Sequence, residues 1–147
     1  MEAPPILSLE DEPDDLAFIR RALRRSNLAN PLISATTVEQ AQRICTSGTP
    51  PVLVLVDVNL TGRSGLDFLE WLRAQPQPLG GTPAVIFTGS TDRTDELRAN
   101  ALGSSLYLGK PATEHVLAYA ITAFGLVTKT SEGGGDERRW LTRKPDN

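Results

Sequence analysis

The chain has 147 residues, with 15 Lys or Arg against 18 Asp or Glu, which gives a formal net charge of −3 at pH 7. This length suits one domain with a full hydrophobic core. The slightly negative net charge argues against binding to nucleic acid or to anionic membranes, because both functions require a basic surface. The apolar N-terminal stretch is too short for a signal peptide or a membrane span, so we expect a cytoplasmic protein.

Short apolar runs alternate with helical patterns along the chain, which is typical of βαβ units and a parallel sheet. Because the runs are continuously apolar, they indicate strands that are covered on both faces. The pattern predicts five strands, near residues 5–9, 31–35, 52–57, 83–88 and 104–108. It predicts five helices, near residues 13–27, 37–47, 64–75, 91–102 and 113–126. The predicted fold class is α/β, with a five-stranded parallel, doubly wound sheet.

The composition changes after about Val127 to a polar segment that glycines interrupt. We therefore expect residues 1–127 to form the domain and residues 128–147 to form a polar, flexible C-terminal tail. Trp140 and Leu141 are the apolar pair of this tail. Either the pair docks on the domain or on another subunit, or the terminus is disordered and carries a stray aromatic residue. The composition favours disorder.

Two isolated residue types have ordinary structural explanations. Cys45 is the single cysteine, so it cannot form an internal disulfide, and its place in a helical pattern favours a packed side chain. His115 is the single histidine and lies in the predicted fifth helix, where we expect a partly exposed residue. Neither residue indicates a catalytic site.

Acidic, hydroxyl and basic side chains follow four of the predicted strands at the point where each strand ends. They are Glu10 and Asp11, Asp57, Thr88, and Lys110. In open α/β sheets the chemistry gathers beyond the carboxyl ends of the strands, so we expect these residues to share one pocket. Three carboxylates there would repel one another unless a hard divalent cation lay between them, which suits Mg²⁺. A lysine and a threonine hydroxyl at the same place suit a phosphoryl group.

Each of these residues also has an ordinary structural alternative. Asp57 could be a nucleophile that forms an aspartyl-phosphate, or equally a residue that caps a helix or stabilises a turn. Glu10 and Asp11 could cap the first helix, and Thr88 could bond a nearby backbone group. Lys110 could be a solvated surface lysine. The ordered combination at four strand ends favours the shared site.

From Ile6 to about Leu126 the chain resembles the receiver domain of two-component response regulators. The resemblance implies the flavodoxin-like strand order 2-1-3-4-5. It implies that Asp57 is the phosphoacceptor and that Thr88 and Lys110 contact the phosphoryl group. The implied ligands of Mg²⁺ are Glu10, Asp11, Asp57 and the backbone carbonyl of Asn59. The implied conformational switch consists of Thr88 and Tyr107, and the bond between Lys110 and Pro111 is expected to be cis.

Within this family, residues 21–31 and 87–95 are most similar to those of stand-alone regulators that are paired with phytochrome-type histidine kinases. The chain departs from the common pattern at Thr61, where a proline usually follows Asn-Leu, and at Arg63-Ser64, where Met-Asp is frequent. We expect these departures to affect the start of the next helix and the partner surface. No departure falls among the five pocket residues.

The function implied is that of a single-domain response regulator. A histidine kinase would phosphorylate Asp57 in a Mg²⁺-dependent reaction, and the signal would leave through a protein-binding surface that phosphorylation switches. The chain would not be a dedicated turnover enzyme. The alternative is a docking module with the same fold that works without phosphorylation.

The resemblance to stand-alone regulators implies a homodimer through the face formed by the fourth helix, the fifth strand and the fifth helix, and the apolar residues of that face fit this expectation. They are Leu97, Leu102, Tyr107, Leu117, Tyr119, Ile121 and Phe124. The alternative is that most of them face the sheet and that the protein is a monomer until it is phosphorylated.

Overall fold

The computed structural model describes residues 3–123, 127–130 and 139–143. Its strands are β1 (Ile6–Leu9), β2 (Leu32–Ala35), β3 (Leu53–Val56), β4 (Ala84–Thr88), β5 (Leu106–Gly109), β6 (Val127–Thr130) and β7 (Arg139–Thr142). Its helices are α1 (Pro13–Arg25), α2 (Val38–Thr46), α3 (Gly65–Arg73), α4 (Arg93–Ala101) and α5 (Glu114–Ala123). A 3₁₀ turn at Leu79–Gly81 precedes β4.

Strands β1 to β5 form one parallel sheet in the order β2-β1-β3-β4-β5. The central strand β1 pairs with both of its neighbours, so that Ile6 lies opposite Leu32 on one side and Leu53 on the other. The predicted strand order, the five strands and the five helices are confirmed, and every boundary lies within a few residues of its prediction.

Two hydrophobic clusters cover the two faces of the sheet. Because side chains alternate along a strand, Leu7 and Leu9 enter the cluster that contains α2 and α3, whereas Ile6 enters the cluster that contains α1 and α5. Nearly every side chain of β1, β3 and β4 is fully buried. The continuous apolar runs in the sequence result from this two-sided burial, which makes the strand ends rigid supports for the residues that follow them.

Side-chain caps fix where several helices begin after the strands end. Glu12 caps α1 by accepting a hydrogen bond from the backbone N–H of Asp14. Ser64 caps α3, and Asp92 caps α4. These caps satisfy backbone donors that a helix start leaves free, so the loops at the carboxyl edge of the sheet are held in place. No helix among the described residues is long and apolar enough to cross a membrane.

The C-terminal segment differs from the expected flexible tail in the residues that the structure describes. Strands β6 and β7 form an antiparallel pair. The side chain of Asn30 accepts a hydrogen bond from the N–H of Leu141 at 2.6 Å and donates one to its carbonyl at 3.0 Å. Leu141 is fully buried in the cluster beneath α1 and α5. Leu141 therefore docks on the domain, which is one of the alternatives given above for the pair of Trp140 and Leu141.

Backbone and guanidinium contacts attach the same segment to the amino ends of the strands. The N–H of Ala29 donates to the carbonyl of Arg139. Arg143 donates to the carbonyls of Pro51 and Pro78 at 2.7 and 3.2 Å. Residues 139–143 thus belong to the folded domain, which continues beyond residue 127. Residues 128–130 of the predicted tail lie in β6, whereas residues 131–138 and 144–147 lie outside the described part of the chain.

The face formed by α4, β5 and α5 is less apolar than the sequence predicted. Leu117 and Ile121 are fully buried and belong to the core, so their assignment to a dimer surface is wrong. Leu102 and Tyr107 are partly buried, whereas Leu97 and Tyr119 are exposed. Phe124 lies outside the described residues. The alternation of buried and exposed positions on α5 follows from its packing on the sheet, which the sequence pattern did not resolve.

Cys45 is buried against the core on the α2 side of the sheet. Burial raises the pKa of its thiol to about 11, because the thiolate is poorly solvated there. The expectation that Cys45 is a packed side chain is confirmed.

Candidate functional site

Three carboxylates meet at the carboxyl edge of the sheet. Glu10 and Asp11 directly follow β1, and Asp57 directly follows the neighbouring strand β3. One carboxylate oxygen from each residue lies within 4.8 Å of the others. Glu10 and Asp57 are buried, and Asp11 is partly exposed. The predicted clustering of these acids is therefore observed.

The charge of this acidic cluster is costly without a counterion. Burial raises the pKa of Glu10 to about 7, and the nearby charge of Asp57 adds to the rise against the opposing effect of the Lys110 ammonium. A set of carboxylate oxygens that is crowded and partly buried fits a hard divalent cation, which prefers oxygen ligands and would offset the repulsion. The donor set is thus suited to the predicted metal site.

Asp57 is held from several sides. Its backbone N–H donates to the carbonyl of Leu9, which fixes the end of β3 against β1. Its Oδ1 accepts hydrogen bonds from the Thr88 hydroxyl at 2.8 Å and from the Asn59 N–H at 3.2 Å. A side chain at Gly65 would collide with the Asp57 carbonyl, since an added Cβ would lie 1.9 Å from that oxygen. Gly65 therefore allows the start of α3 to lie directly against the backbone of Asp57.

Lys110 directly follows β5 and reaches across the pocket to three carboxylates. Its Nζ lies 2.7 Å from Glu10 Oε1, 2.7 Å from Asp15 Oδ2 and 3.2 Å from Asp57 Oδ2. Burial lowers the pKa of Lys110, but the hydrogen bonds that Lys110 donates to Asp15 and Glu10, together with the charge of Asp57, outweigh this effect, so the net pKa is raised. The ammonium stays charged and links the acids. The bond between Lys110 and Pro111 is cis, as the resemblance implied.

Asp15 is a site residue that sequence reasoning missed. It lies in the first turn of α1, where acidic residues are common because they favour the helix N-terminus. Its neighbour Asp14 is exposed, whereas Asp15 is partly buried against Lys110. Its position four residues after Asp11, on a helix that begins beside the acidic pair, is the signal that could have identified it.

Thr88 and Tyr107 lie on the adjacent strands β4 and β5. The Thr88 hydroxyl, which donates to Asp57, also accepts a hydrogen bond from the backbone N–H of Ser90 at 3.2 Å. Tyr107 is partly buried against the core, and burial raises the pKa of its phenol, an effect that the nearby Ser90 hydroxyl opposes. Tyr107 thus lies near Ser90, which bonds to Thr88, and the role of Thr88 and Tyr107 as a switch stays a prediction.

Asp11 contacts the loop that follows β3. Its Oδ2 accepts hydrogen bonds from the N–H of Thr61 at 2.9 Å and from the Thr61 hydroxyl at 3.1 Å. The same loop contains Asn59, which lines a surface cavity together with Asp11 and Thr61. The assignment of the Asn59 carbonyl as a metal ligand stays a prediction. The contact with Thr61 was not foreseen from the sequence.

Comparisons with known sequences identify the family of the chain. Residues 6–122 match the response regulator receiver domain. The acid tolerance regulatory protein ActR of Rhizobium meliloti (strain 1021) is 31% identical over 140 residues, which cover 92% of this chain and 70% of ActR. The photosynthetic apparatus regulatory protein RegA of Rhodovulum sulfidophilum is 29% identical over 124 residues, which cover 84% of this chain and 64% of RegA. The chain thus spans about two thirds of the length of these relatives.

Solved structures of response regulators share the fold of this chain over 80% to 84% of its length. The bacteriophytochrome response regulator RtBRR has a TM-score of 0.70 and 30% identity, covering 84% of this chain and 80% of RtBRR. The bacteriophytochrome response regulator AtBRR has a TM-score of 0.67 and 28% identity, covering 82% of this chain and 92% of AtBRR. The Mn²⁺-bound response regulator Rcp1 has a TM-score of 0.70 and 24% identity, covering 80% of this chain and 88% of Rcp1. At this identity the similarity supports the fold alone. With its strand order, its acidic cluster and a family match over residues 6–122, the chain belongs to the response regulator receiver domains and resembles the phytochrome response regulators among them.

Proposed function

We propose that this protein is a phosphorylation-dependent response regulator in which Asp57 accepts a phosphoryl group from a histidine kinase. The observation that carries the proposal is the meeting of Asp57 with an acidic pair on one side and with Lys110 and Thr88 on the other. Carboxylates are competent nucleophiles toward phosphorus. Lys110 and Thr88 suit the negative charge of an aspartyl-phosphate, and a purely structural role for Asp57 would not require them.

The proposed transfer is a single displacement at phosphorus. A carboxylate oxygen of Asp57 forms the new P–O bond, and the P–N bond of the phosphohistidine breaks, so that the imidazole leaves with the kinase. Bound Mg²⁺ would neutralise the carboxylates and stabilise charge on the phosphoryl oxygens. Glu10, Asp11 and Asp57 would hold the ion. Lys110 and Thr88 would position the phosphoryl group, because an ammonium and a hydroxyl both donate to its oxygens.

The signal would leave through the loop after β4. A phosphoryl group on Asp57 adds negative charge and strong acceptor oxygens, which would bind the Thr88 hydroxyl more tightly. Thr88 is linked to Ser90 through the Ser90 N–H, and the Ser90 hydroxyl donates to Asp95 in α4 at 2.7 Å. A change at Thr88 would therefore reach α4 and the neighbouring Tyr107. This path supports a partner-binding surface on α4, β5 and α5 that phosphorylation switches.

The cognate kinase that we propose is of the phytochrome type, since RtBRR and AtBRR are bacteriophytochrome response regulators of the same architecture. The deciding experiment is phosphotransfer to this protein from a panel of purified histidine kinases, followed in real time. Rapid, selective labelling by a phytochrome-type kinase supports the proposal. If no phosphodonor labels the protein and beryllofluoride causes no metal-dependent change, the phosphorylation-independent docking module is the better description.

We do not propose a turnover enzyme. A phosphatase acting on small esters most often uses a histidine close to the nucleophile as its general acid or base. His115 instead lies on α5, where its Nε2 is 2.9 Å from Arg25 Nη1.

The cytoplasm, where histidine kinases phosphorylate their regulators, is the proposed compartment.

Mg²⁺ is expected to stabilise the folded protein. If the acidic cluster binds Mg²⁺ with a dissociation constant between about 0.1 and 1 mM, 10 mM Mg²⁺ raises the free energy of unfolding by about 1.4 to 2.7 kcal/mol. Chemical denaturation with and without Mg²⁺ measures the difference. An Asp11→Asn variant serves as the control and should gain less, because it lacks one of the three carboxylates. Equal stabilisation of both proteins would contradict binding at this cluster.

We also propose a homodimer through the face of α4, β5 and α5. Leu97 and Tyr119 are 54% and 71% exposed there, and the nearby Val116 is 45% exposed, so an apolar surface remains after the core residues are excluded. Sedimentation at micromolar concentration should give a dimer mass for the unphosphorylated protein. The Leu97→Glu/Tyr119→Glu variant should sediment as a monomer. Ile33→Glu, at another exposed apolar residue outside this face, should remain dimeric. A monomeric parent protein would contradict the constitutive dimer.

A further inference from the structure

Thr61 connects the loop after β3 to one of the acidic residues of the cluster. Its backbone N–H and its side-chain hydroxyl donate to the same oxygen, Asp11 Oδ2, at 2.9 and 3.1 Å. The two residues are 50 positions apart in sequence, and Thr61 itself is exposed. The contact is therefore not a by-product of core packing. It is a specific two-donor interaction with a carboxylate that lies beside Glu10 and Asp57.

Two donors on one oxygen restrict the orientation of the Asp11 carboxylate. A carboxylate oxygen has about two lone pairs, so Thr61 occupies those of Oδ2. Asp11 Oδ1 has no hydrogen bond or ion pair with any of the described residues, which leaves it available to a cation. This restricted orientation prepares Asp11 for coordination.

We propose that Thr61 is a positioning residue for the divalent cation, acting through Asp11. The proposal rests on the proposed Mg²⁺-dependent function of the acidic cluster. Partners that hydrogen-bond to metal ligands orient those ligands and raise metal affinity. A proline in this position would have neither an N–H nor a hydroxyl, so it could make neither of the two contacts. The departure from the common family pattern at Thr61 therefore acts on the metal site itself, beyond the helix start and the partner surface.

Three substitutions at this exposed position separate the two donors. Thr61→Ser keeps the N–H and the hydroxyl, Thr61→Val removes the hydroxyl at nearly constant shape, and Thr61→Pro removes both donors. Mn²⁺ is the probe, because electron paramagnetic resonance measures the concentration of the free ion directly during a titration of the whole protein. Thr46→Val is the matched control, since Thr46 is also exposed and, within the described part of the chain, its hydroxyl bonds only to backbone carbonyls of α2.

The expected dissociation constants form a series. Thr61→Val should bind Mn²⁺ about threefold to tenfold more weakly, which is at or below the lower end of the range for such partners because Thr61 is exposed. Thr61→Pro should be weaker still, by about tenfold or more. Thr61→Ser and Thr46→Val should remain within about twofold of the parent. Recovery of affinity by serine is a result that a merely structural role for Thr61 would not produce.

The outcomes distinguish this inference from the function on which it rests. If the parent binds Mn²⁺ and Thr61→Val binds it equally well, the positioning role is overturned and the proposed metal site stands. If serine weakens binding as much as valine, the hydroxyl is not the relevant group and the inference is again overturned. If the parent shows no saturable binding, the metal-dependent function and the role of Thr61 fall together. Circular dichroism of each variant confirms that the comparison is made between folded proteins.

Discussion

Replacement of Asp57 by Asn should abolish phosphorylation while the fold is retained. The amide is nearly isosteric with the carboxylate, and its oxygen can still accept the hydrogen bonds that Thr88 and the Asn59 N–H donate to Oδ1. The amide is a poor nucleophile, so the displacement at phosphorus fails. Loss of the charge also removes repulsion between Asp57 and Glu10, which limits any cost to stability.

The measurement is incorporation of a hydroxylamine-sensitive, acid-labile phosphoryl group, with a kinase or a small phosphodonor in the presence of Mg²⁺. Labelling of Asp57→Asn should fall to background. Asp14→Asn is the control, because Asp14 is an exposed carboxylate in the first turn of α1 and the change in net charge is the same. Asp14→Asn should be labelled as the parent is. Sustained labelling of the Asp57 variant would assign the phosphoacceptor to another residue.

The sheet and the meeting of the five pocket residues could be predicted because both depend on strand ends. A parallel strand covered on both faces is a continuous apolar run, and its carboxyl end is marked by the first polar residue. Asp57 after β3 and Lys110 after β5 are such residues. Since all carboxyl ends lie at one edge, the sequence order alone brings the side chains together.

The contacts of Asp15 and Thr61 could not be predicted in the same way. Each depends on where a side chain points after a turn, and each joins residues that are far apart in sequence: Asp15 to Lys110 and Asp11 to Thr61. Acidic residues in a first helical turn and threonines in loops are common for reasons unrelated to function. Residue type alone therefore gives no indication of a role. The spacing of Asp15 from Asp11 is a signal in the sequence, but the contacts themselves are identified by the distances.

Docking of residues 139–143 was the less favoured alternative because the composition of the C-terminal segment is polar, whereas the attachment of these residues depends on backbone hydrogen bonds and a single buried side chain. Asn30 satisfies both the N–H and the carbonyl of Leu141, so the backbone can be buried without losing its hydrogen bonds. The average composition of such a segment does not reveal that one leucine among polar neighbours is buried. A polar average is thus compatible with a strand that is part of the core.

Replacement of Leu141 by Ala should destabilise the domain by about 2 to 4 kcal/mol. The side chain is fully buried among residues of β1, β3, α1 and α5, so its removal leaves a cavity as well as losing apolar contacts. The contacts of the segment lie with Ala29, Asn30 and Pro51, at the amino ends of the strands and away from Asp57. Phosphorylation of the folded variant should therefore be unchanged.

Urea denaturation of the metal-free protein measures this cost, and Leu97→Ala is its matched control. Leu97 is 54% exposed on α4, so the same truncation there should change the free energy of unfolding by no more than about 0.5 kcal/mol. The difference between the two variants isolates burial, since the atoms removed are the same. If Leu141→Ala costs no more than Leu97→Ala, the segment does not contribute to the core and behaves as the flexible tail that its composition predicts. A large difference shows that residues far beyond the matched family region complete the core on the side of the sheet that carries α1 and α5.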